Sequence, residues 1–482
     1  MAVSGTTKAL KDIMRIDAGI NGDAQYIEQI TWMLFLKAFD FKEDEWELTE
    51  NDYYPVVPEQ YRWKNWADDA EGATGDPLLA HIDTMFKDLR KLDISDDPKK
   101  RKWLIRNIME GINNFMKSGT LLRQVINKIN EDIDFYSMPS GHLFNGLYEN
   151  MLKDLQSAGK AGEFYTPRPV TRFIVEMVAP KLGESVLDPA CGTGGFLTSV
   201  IDSYKGRINT TEDYRKLQQT IRGIEKKPFP YLLCVTNLIA HGIDVPDIRH
   251  DNTLRVSTTD YAVKDKVDVI VTNPPFGGAE EKAISQSVPA ELRNTETADL
   301  FLVHIMALLK DGGRCGMVLP DGFLFGGGVK SAIKRRLLET CNLHTIIRLP
   351  KDVFAPYTNI NTNLLFFQKG TPTKGIWFYR LEMPQDYKHF SKTRPMLDEH
   401  FQPVHKWWQN KSESDTSRFI PVEDIIAADY NLDFCGFPRD NQKILPPEDF
   451  ITQYLQEKAV ISAQIETLLT RISSALKQED VK

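Results

Sequence analysis

Downstream of Gly162 the chain alternates short β-rich runs with helical segments, a pattern best satisfied by a parallel sheet covered by helices. The runs are Ser185 to Leu187, Arg222 to Ile224, Val267 to Thr272, Arg314 to Leu319, Thr345 to Leu349 and Asn363 to Gln368. Parallel neighbours need a crossover long enough for a helix. The predicted fold is therefore α/β, a doubly wound Rossmann-like domain. The last two runs are joined by PKDVFAPYTNINT, whose Pro, Asn and Thr content suits a surface loop of the kind that carries function.

Upstream the texture differs. Between Thr7 and about Glu47 the apolar residues Ile27, Ile30, Leu34, Phe35 and Phe39 recur at helical spacing, which predicts an amphipathic helix. Further helical patterns run from Pro77 to Ile129 without strand alternation, so residues 1–150 are expected to form an all-helical domain. Residues 151–400 then hold the α/β domain, and 401–482 form a C-terminal region. Its end, Phe450 to Gln478, is helical in pattern. Steps of three and four give Ile451, Tyr454, Lys458, Ile461, Ile465, Leu468, Ile472 and Ala475, a seam suited to packing on its own protein or to a coiled-coil arm for a partner subunit.

Apolar residues at 41% and charged residues at 26% match a soluble globular chain and argue against a mainly disordered or collagen-like one. The start, MAVSGTTKALKD, lacks an apolar targeting stretch, and no uninterrupted apolar run reaches membrane-spanning length. A cytoplasmic protein without membrane contact is expected. Cys191, Cys234, Cys315, Cys341 and Cys435 stand far apart with no zinc-type spacing, so no metal is expected and the thiols are read as reduced. The net charge of -8 does not favour a polyanion overall. A nucleic-acid substrate would have to be attracted by a local patch or by a partner.

Chemistry gathers where the β-rich runs end. The first leads into Asp188-Pro-Ala-Cys-Gly-Thr-Gly-Gly-Phe196, followed by a helical pattern from Leu197. Small residues at such a turn let backbone amides approach a ligand beside the positive end of a helix. The third glycine of the dinucleotide fingerprint would fall at Leu197, and no GxxxxGK[ST] occurs, so neither motif is satisfied. Glu225 ends the second run, where a carboxylate can accept both hydroxyls of a ribose. Together these features favour an adenosine-containing cofactor without a pyrophosphate.

The run VDVIVT stops at Asn273-Pro274-Pro275-Phe276. Two prolines remove two backbone donors and set φ twice, which stiffens the turn. The Asn273 side-chain oxygen and the Pro274 carbonyl can then converge as two acceptors, matching an exocyclic amino group with two hydrogens to donate. Phe276 adds a flat surface for a base. A strand-ending proline turn with Asn as a cap is the alternative reading of these four residues alone.

In this order, AGEFYTPRPV, DPACGTGGF and NPPF resemble the cofactor and catalytic motifs of amino-group DNA methyltransferases of the γ arrangement. More closely, the helical N-terminal region with EFYTPR, DPACGTGGF, LPDGFLFGGG, RLPKDVF and TNLLFFQKG resembles the modification (methylase) subunit of type I restriction-modification systems over about residues 5–400. The resemblance implies an S-adenosylmethionine-dependent transferase that makes N6-methyladenine in DNA. By motif, Glu163, Phe164, Tyr165, Thr166, Pro167 and Arg168 would lie along the methionine part of the cofactor. Asp188, Gly192, Thr193, Gly194, Gly195 and Phe196 would form its main pocket, Glu225 would hold the ribose, and Asp251 and Asn252 would contact the adenine. Asn273, Pro274, Pro275 and Phe276 would be the catalytic turn, and Phe354, in the long loop, would help hold the target base. The implied partners are DNA, a specificity subunit that selects the sequence and a restriction/translocation subunit, with two copies of this chain per complex.

The competing readings are N4-cytosine methylation, methylation of RNA or of a protein glutamine, and a non-catalytic cofactor-binding assembly subunit. Phe at the fourth position of NPPF and the extent of the resemblance favour adenine in DNA. Elsewhere the structural reading is preferred: His304 as a hydrogen-bonded core histidine, Cys191 as a small filler of the turn, Trp63 to Trp66 and Trp407-Trp408 as packing. The basic cluster Lys330 to Arg336 is read first as a solvated helix face and second as a phosphate contact.

Overall fold

Side chains alternate across a strand, and here both faces of the strands are apolar. Val186, Val269, Val271, Val318, Ile347, Leu364 and Phe366 enter one buried cluster. Leu187, Ile270, Met317, Leu319, Ile346, Leu365 and Phe367 enter a second. A sheet apolar on both sides has to be covered on both, which is the physical content of double winding. The computed structural model describes residues 2–135, 165–355, 358–391 and 393–436, with separate positions between 448 and 470. Residues 1–436 form one compact unit and residues 437–482 a second.

The described strands are β1 (Val186–Asp188), β2 (Ile221–Glu225), β3 (Asp247–His250), β4 (Val267–Thr272), β5 (Leu309–Pro320), β6 (Cys341–Arg348), β7 (Thr362–Lys369), β8 (Gly375–Arg380) and β9 (Ser417–Pro421). They form one sheet in the order β3-β2-β1-β4-β5-β7-β6-β8-β9. The first five are parallel to one another, and β7 runs antiparallel between β5 and β6. Strand order reverses between β1 and β4, so the connections leaving these strands diverge and open a crevice at their carboxyl ends. β1 runs into the Gly-rich turn and β4 into Asn273, so the crevice falls between the two motifs.

Three strands lie outside the set that the apolar pattern predicts. β3 and β9 carry mostly exposed residues, so neither shows an apolar alternation. β8, GIWFYR, is apolar enough to be legible, but polar turns isolate it. With β9 paired antiparallel to β8, the sheet continues to Pro421, past the division expected at 400.

The single amphipathic helix expected between Thr7 and Glu47 is instead two, Ala2–Met14 and Asp23–Thr49. Between them the Asp17 carboxylate accepts from the backbone amides of Gly19, Lys117 and Ser118. Gly19 also lies so close to the Phe115 carbonyl that a Cβ would not fit. The second helix is not amphipathic: Trp32, Met33, Leu34, Phe35 and Leu36 are buried in succession, as expected of a core helix. It packs on the helix Pro228–Ala240, and its side chains join the first sheet cluster.

In the second unit Ile451, Tyr454, Ile461, Ile465 and Leu468 of the predicted seam are all exposed. Ile472 and Ala475 lie outside the described residues.

Candidate active site

The turn after β1 is held from both sides. Asp188, 1% exposed, accepts through Oδ1 from the Thr272 hydroxyl at 2.7 Å and from the Ala190 amide at 3.1 Å. The Cys191 amide donates to the Ile224 carbonyl, and the Asn237 side chain donates to the Thr193 carbonyl. Gly194 has φ of 80°, and a Cβ there would sit 3.0 Å from Cys234 Sγ, so both conformation and space ask for glycine. The helix Gly195–Ser203 begins at this turn.

Glu225, at the end of β2, is spanned by backbone amides: Gly192 donates to Oε2 at 2.9 Å and Lys227 to Oε1 at 2.8 Å. Burial pushes both acids upward, Asp188 to about 7. In each, hydrogen bonds work in the opposite direction by favouring the charged form.

Across the crevice, Asn273 follows β4. Its Nδ2 donates to Thr166 Oγ1 at 3.0 Å, while Oδ1 is buried with no hydrogen-bond partner among the described residues. An unpaired buried acceptor costs about 1–3 kcal/mol, which marks it as a group awaiting a donor. Phe276 of the same turn stands edge-on to Phe354 of the β6–β7 loop, with ring centroids 5.9 Å apart at 81°.

Between these walls lies a cavity of about 200 Å³. Of the residues expected at the site, Thr166, Asp188, Gly192, Thr193, Gly195, Phe196, Glu225, Asn273 and Pro275 line it. Gly194, Pro274, Phe276 and Phe354 are close by in the same turns and loop but are not part of this lining. Glu163 and Phe164 lie outside the described residues. Tyr165 is partly buried against the core, and the Pro167 carbonyl receives the first helical amides of Arg168–Val178. Arg168 is not in the lining either: it donates to the Gly195 carbonyl at 2.9 Å and the Thr198 hydroxyl at 2.7 Å, a clamp on the Gly-rich turn.

Asp251 and Asn252 follow β3, and the Asp251 amide donates to the Glu225 carbonyl, but neither side chain lines the cavity. The Asn252 oxygen caps the short turn Thr253–Arg255 by accepting from the Leu254 amide.

Lys226, Gly278, Ala279, Glu280 and Thr297 also line the cavity, and none of them belongs to the motifs that mark the site in the sequence. Lys226 and Glu280 form an ion pair at 3.3 Å between the β2 end and the loop after Phe276. Proximity to Glu225 and to NPPF is the available signal for the first four; Thr297 has none, because it arrives from the next helix.

The other candidates resolve structurally. Lys330 pairs with Glu296 and Asp299, and Lys334 is fully buried, so only Arg335 and Arg336 of the basic cluster remain exposed cations. The solvated-face reading therefore fails for two of its four charges, because the helix turns them onto acceptors inside the fold. His304 is bonded to Tyr261 and Ser287, with burial pushing it down to about 4. No cluster of metal-ligand residues occurs among the described residues.

The donor set suits an adenosine-type cofactor that carries positive charge. Two buried acids face one cavity, and a cation within it would offset the desolvation that raises Asp188. The orphaned Asn273 oxygen supplies a separate acceptor on the opposite wall.

Comparison with known proteins places the chain in a family. The family described as N-6 DNA Methylase matches residues 139–442, and the HsdM N-terminal domain matches residues 6–129. The Type I restriction enzyme EcoEI methylase subunit of Escherichia coli is 50% identical over 487 residues, covering 99% of each chain. A chain solved in work on complex assembly and conformational transition of the type I R-M system has a TM-score of 0.81 at 39% identity, over 99% of both chains. The type I restriction-modification methyltransferase subunit from Streptococcus thermophilus, only 20% identical, shares the fold with a TM-score of 0.68 over 90% of this chain and 98% of that one.

Proposed function

Because the chain belongs to the methylase subunits of type I restriction-modification systems, we propose that the cavity beside Asn273 is where it methylates the N6 amino group of adenine in DNA. The activity itself is that of the family: an adenine-specific, S-adenosylmethionine-dependent DNA methyltransferase acting as one subunit of a complex. The observation that carries the assignment of the site is the buried Asn273 oxygen in the cavity wall, which has no hydrogen-bond partner among the described residues.

The adenine amino group is a poor nucleophile because its lone pair is delocalised into the ring. Asn273 Oδ1 and the Pro274 carbonyl accept its two hydrogens, which localises the lone pair and aims it into the cavity. S-adenosylmethionine, when bound, supplies the electrophilic methyl group on its sulfonium. Thr166 orients the Asn273 amide by accepting from Nδ2, leaving the oxygen for the base. Asp188 holds the positively charged end of the cofactor, and Glu225 holds the ribose while the amides of Gly192 and Lys227 keep its carboxylate in place. A paired adenine hides its amino group, so it leaves the stack first. Phe276, half-buried, replaces the stacking it loses, and Phe354, buried edge-on to it, helps hold the base by backing that ring.

We assign choice of sequence to a specificity subunit, and translocation and cleavage to a third subunit, with two copies of this chain in the complex. A chain with net charge -8 fits a division in which a partner supplies much of the attraction to DNA. The exposed Ile451, Tyr454, Ile461, Ile465 and Leu468 are the residues we assign to docking. The complex acts in the cytoplasm, and no helix among the described residues is long and apolar enough to cross a membrane.

The test is nucleoside mass spectrometry on DNA from cells expressing the chain with its specificity subunit, against the Asn273→Ala variant. N6-methyladenine that disappears in the variant is the expected result. N4-methylcytosine instead would overturn the choice of base, and cofactor binding without any modified base would favour an assembly role.

A further inference from the structure

Phe325, in the turn after β5, has no role in the assignments above. It is 59% exposed, the most exposed aromatic side chain among the described residues. Yet the turn that presents it is firmly held. Lys334, fully buried, donates from Nζ at 2.8 Å to the carbonyls of Leu324 and Gly326, the residues on either side of Phe325. The Leu432 amide donates to the same Leu324 carbonyl at 3.0 Å. Burying an ammonium is costly, and here it fixes the backbone on both sides of an exposed ring.

The same turn is tied on both flanks to the catalytic edge of the sheet. At its start, Asp321 accepts from Asn363 at 2.6 Å and Arg348 at 3.1 Å, and its amide donates to the Asn361 carbonyl at 3.0 Å. Those three residues stand at the ends of the loop that carries Phe354. Beyond its far end, Lys330 donates to Glu296 at 2.6 Å and Asp299 at 2.7 Å. Glu296 in turn bridges to Ala279, three residues past Phe276. The turn that carries Phe325 therefore leaves the carboxyl edge of the sheet at the end of β5, on the rim between β4, which runs into the catalytic turn, and β6, which runs into the Phe354 loop.

The glycines beside it give a second, independent indication. Gly322 and Gly327 have ordinary backbone φ, and among the described residues nothing lies within 4 Å of where a Cβ would stand. Gly322 is inside the short helix Asp321–Phe325, where glycine is unfavourable. Neither conformation nor internal packing calls for glycine at these two positions, so a close approach by another molecule is left as the reason.

We propose that Phe325 contacts DNA, its ring stacking on bases beside the extruded adenine, with Gly322 and Gly327 leaving room for the sugar-phosphate backbone. A duplex that has lost one base from its stack exposes flat apolar faces, for which an aromatic wedge is the matching surface. The inference rests on the assignment of Asn273 to Phe276 as the catalytic turn, since that is what puts the vacated stack against this rim.

The test uses the complex assembled with its specificity subunit. Methylation is measured on duplexes carrying the target adenine, and extrusion by the fluorescence of 2-aminopurine placed at that position. Phe325→Ala is expected to lower kcat/KM for DNA at least tenfold and to reduce the fluorescence rise, with cofactor affinity and complex size unchanged. Phe325→Trp should restore most of the loss. Gly322→Ala should leave thermal stability equal or higher, as expected for alanine in a helix, while weakening DNA binding severalfold. Wild-type DNA kinetics in both Phe325→Ala and Gly322→Ala would overturn the proposal. So would a Phe325→Ala complex that falls apart on a sizing column, which would make this face a subunit contact. A wild-type complex that forms no N6-methyladenine would instead overturn the reading of the catalytic turn.

Discussion

The side chains of Asn273 and Thr166, 107 residues apart in the chain, meet at 3.0 Å, with the amide donating to the hydroxyl. That bond orients the amide and leaves its oxygen buried without a partner among the described residues. Asn273→Ala should abolish methylation while cofactor affinity stays within about tenfold, because the lost bonds go to the base. Equilibrium binding of the cofactor beside a single-turnover methylation assay checks both halves. Loss of cofactor binding would refute the division of roles.

Thr166→Val tests the orientation separately. Without the hydroxyl acceptor the amide is free to rotate, and kcat should fall by roughly tenfold to a hundredfold through mispositioning. Thr166→Ser should recover most of it. An unchanged kcat in the valine variant would mean that packing alone orients Asn273.

Asp188 makes cofactor binding depend on pH. Burial raises its carboxyl to about 7, against hydrogen bonds from Thr272 and Ala190, with Glu225 adding a further upward push. Only the charged form attracts a cation, so below that pKa binding must release a proton. Affinity should rise between about pH 5.5 and 7.5, by at most about tenfold per unit, and level off above. Glu225, also raised by burial, adds to the rise in the same direction. In the free protein the sign is reversed: the fold favours the protonated acid, so this contribution to stability is lost as pH climbs from the ordinary carboxylate range to about 7. Calorimetric titrations across this range, with Asp188→Asn as the flattened control, measure the effect; a flat wild-type profile would remove Asp188 from the cation's site.

Phe276 and Phe354 should separate into activity and stability. Phe276 is half-buried, so Phe276→Ala should act on the base and lower kcat/KM for DNA by about 1–3 kcal/mol in transition-state terms. Phe354 is 2% exposed, and Phe354→Ala should also cost about 3–5 kcal/mol of stability. Chemical denaturation beside steady-state kinetics tells the two apart. Equal destabilisation by both would argue that Phe276 is merely structural.

Removing the residues after Phe450 should impair assembly with partner subunits and leave cofactor affinity unchanged. A sizing column run with the specificity subunit reads the first, and calorimetry the second. A truncated chain that assembles normally would sink the docking role of the apolar seam.

Features written over a few neighbouring residues are legible in the sequence. Val267–Thr272 is a strand because a segment that is β-branched at every position but Asp268 admits little else, and its burial on both faces follows from that composition. The small residues from Ala190 to Gly195 and the paired prolines after Asn273 likewise declare tight turns at strand ends, and their order carries the resemblance to a methylase. The sequence by itself thus determined the sheet's main strands, the two turns and the class of chemistry. What depends on long-range placement is not legible there. β3 and β9 hold mostly exposed residues, so only pairing with β2 and β8 makes them strands. Lys330 and Lys334 look like solvated charges until the helix sets them against Asp299 and two carbonyls. Hydrophobic period reports which face of an element is covered, but it carries no information about which distant group stands opposite. Tertiary structure alone therefore decided that Thr166 turns the Asn273 oxygen into an open acceptor, and that Glu280 closes on Lys226 beside it.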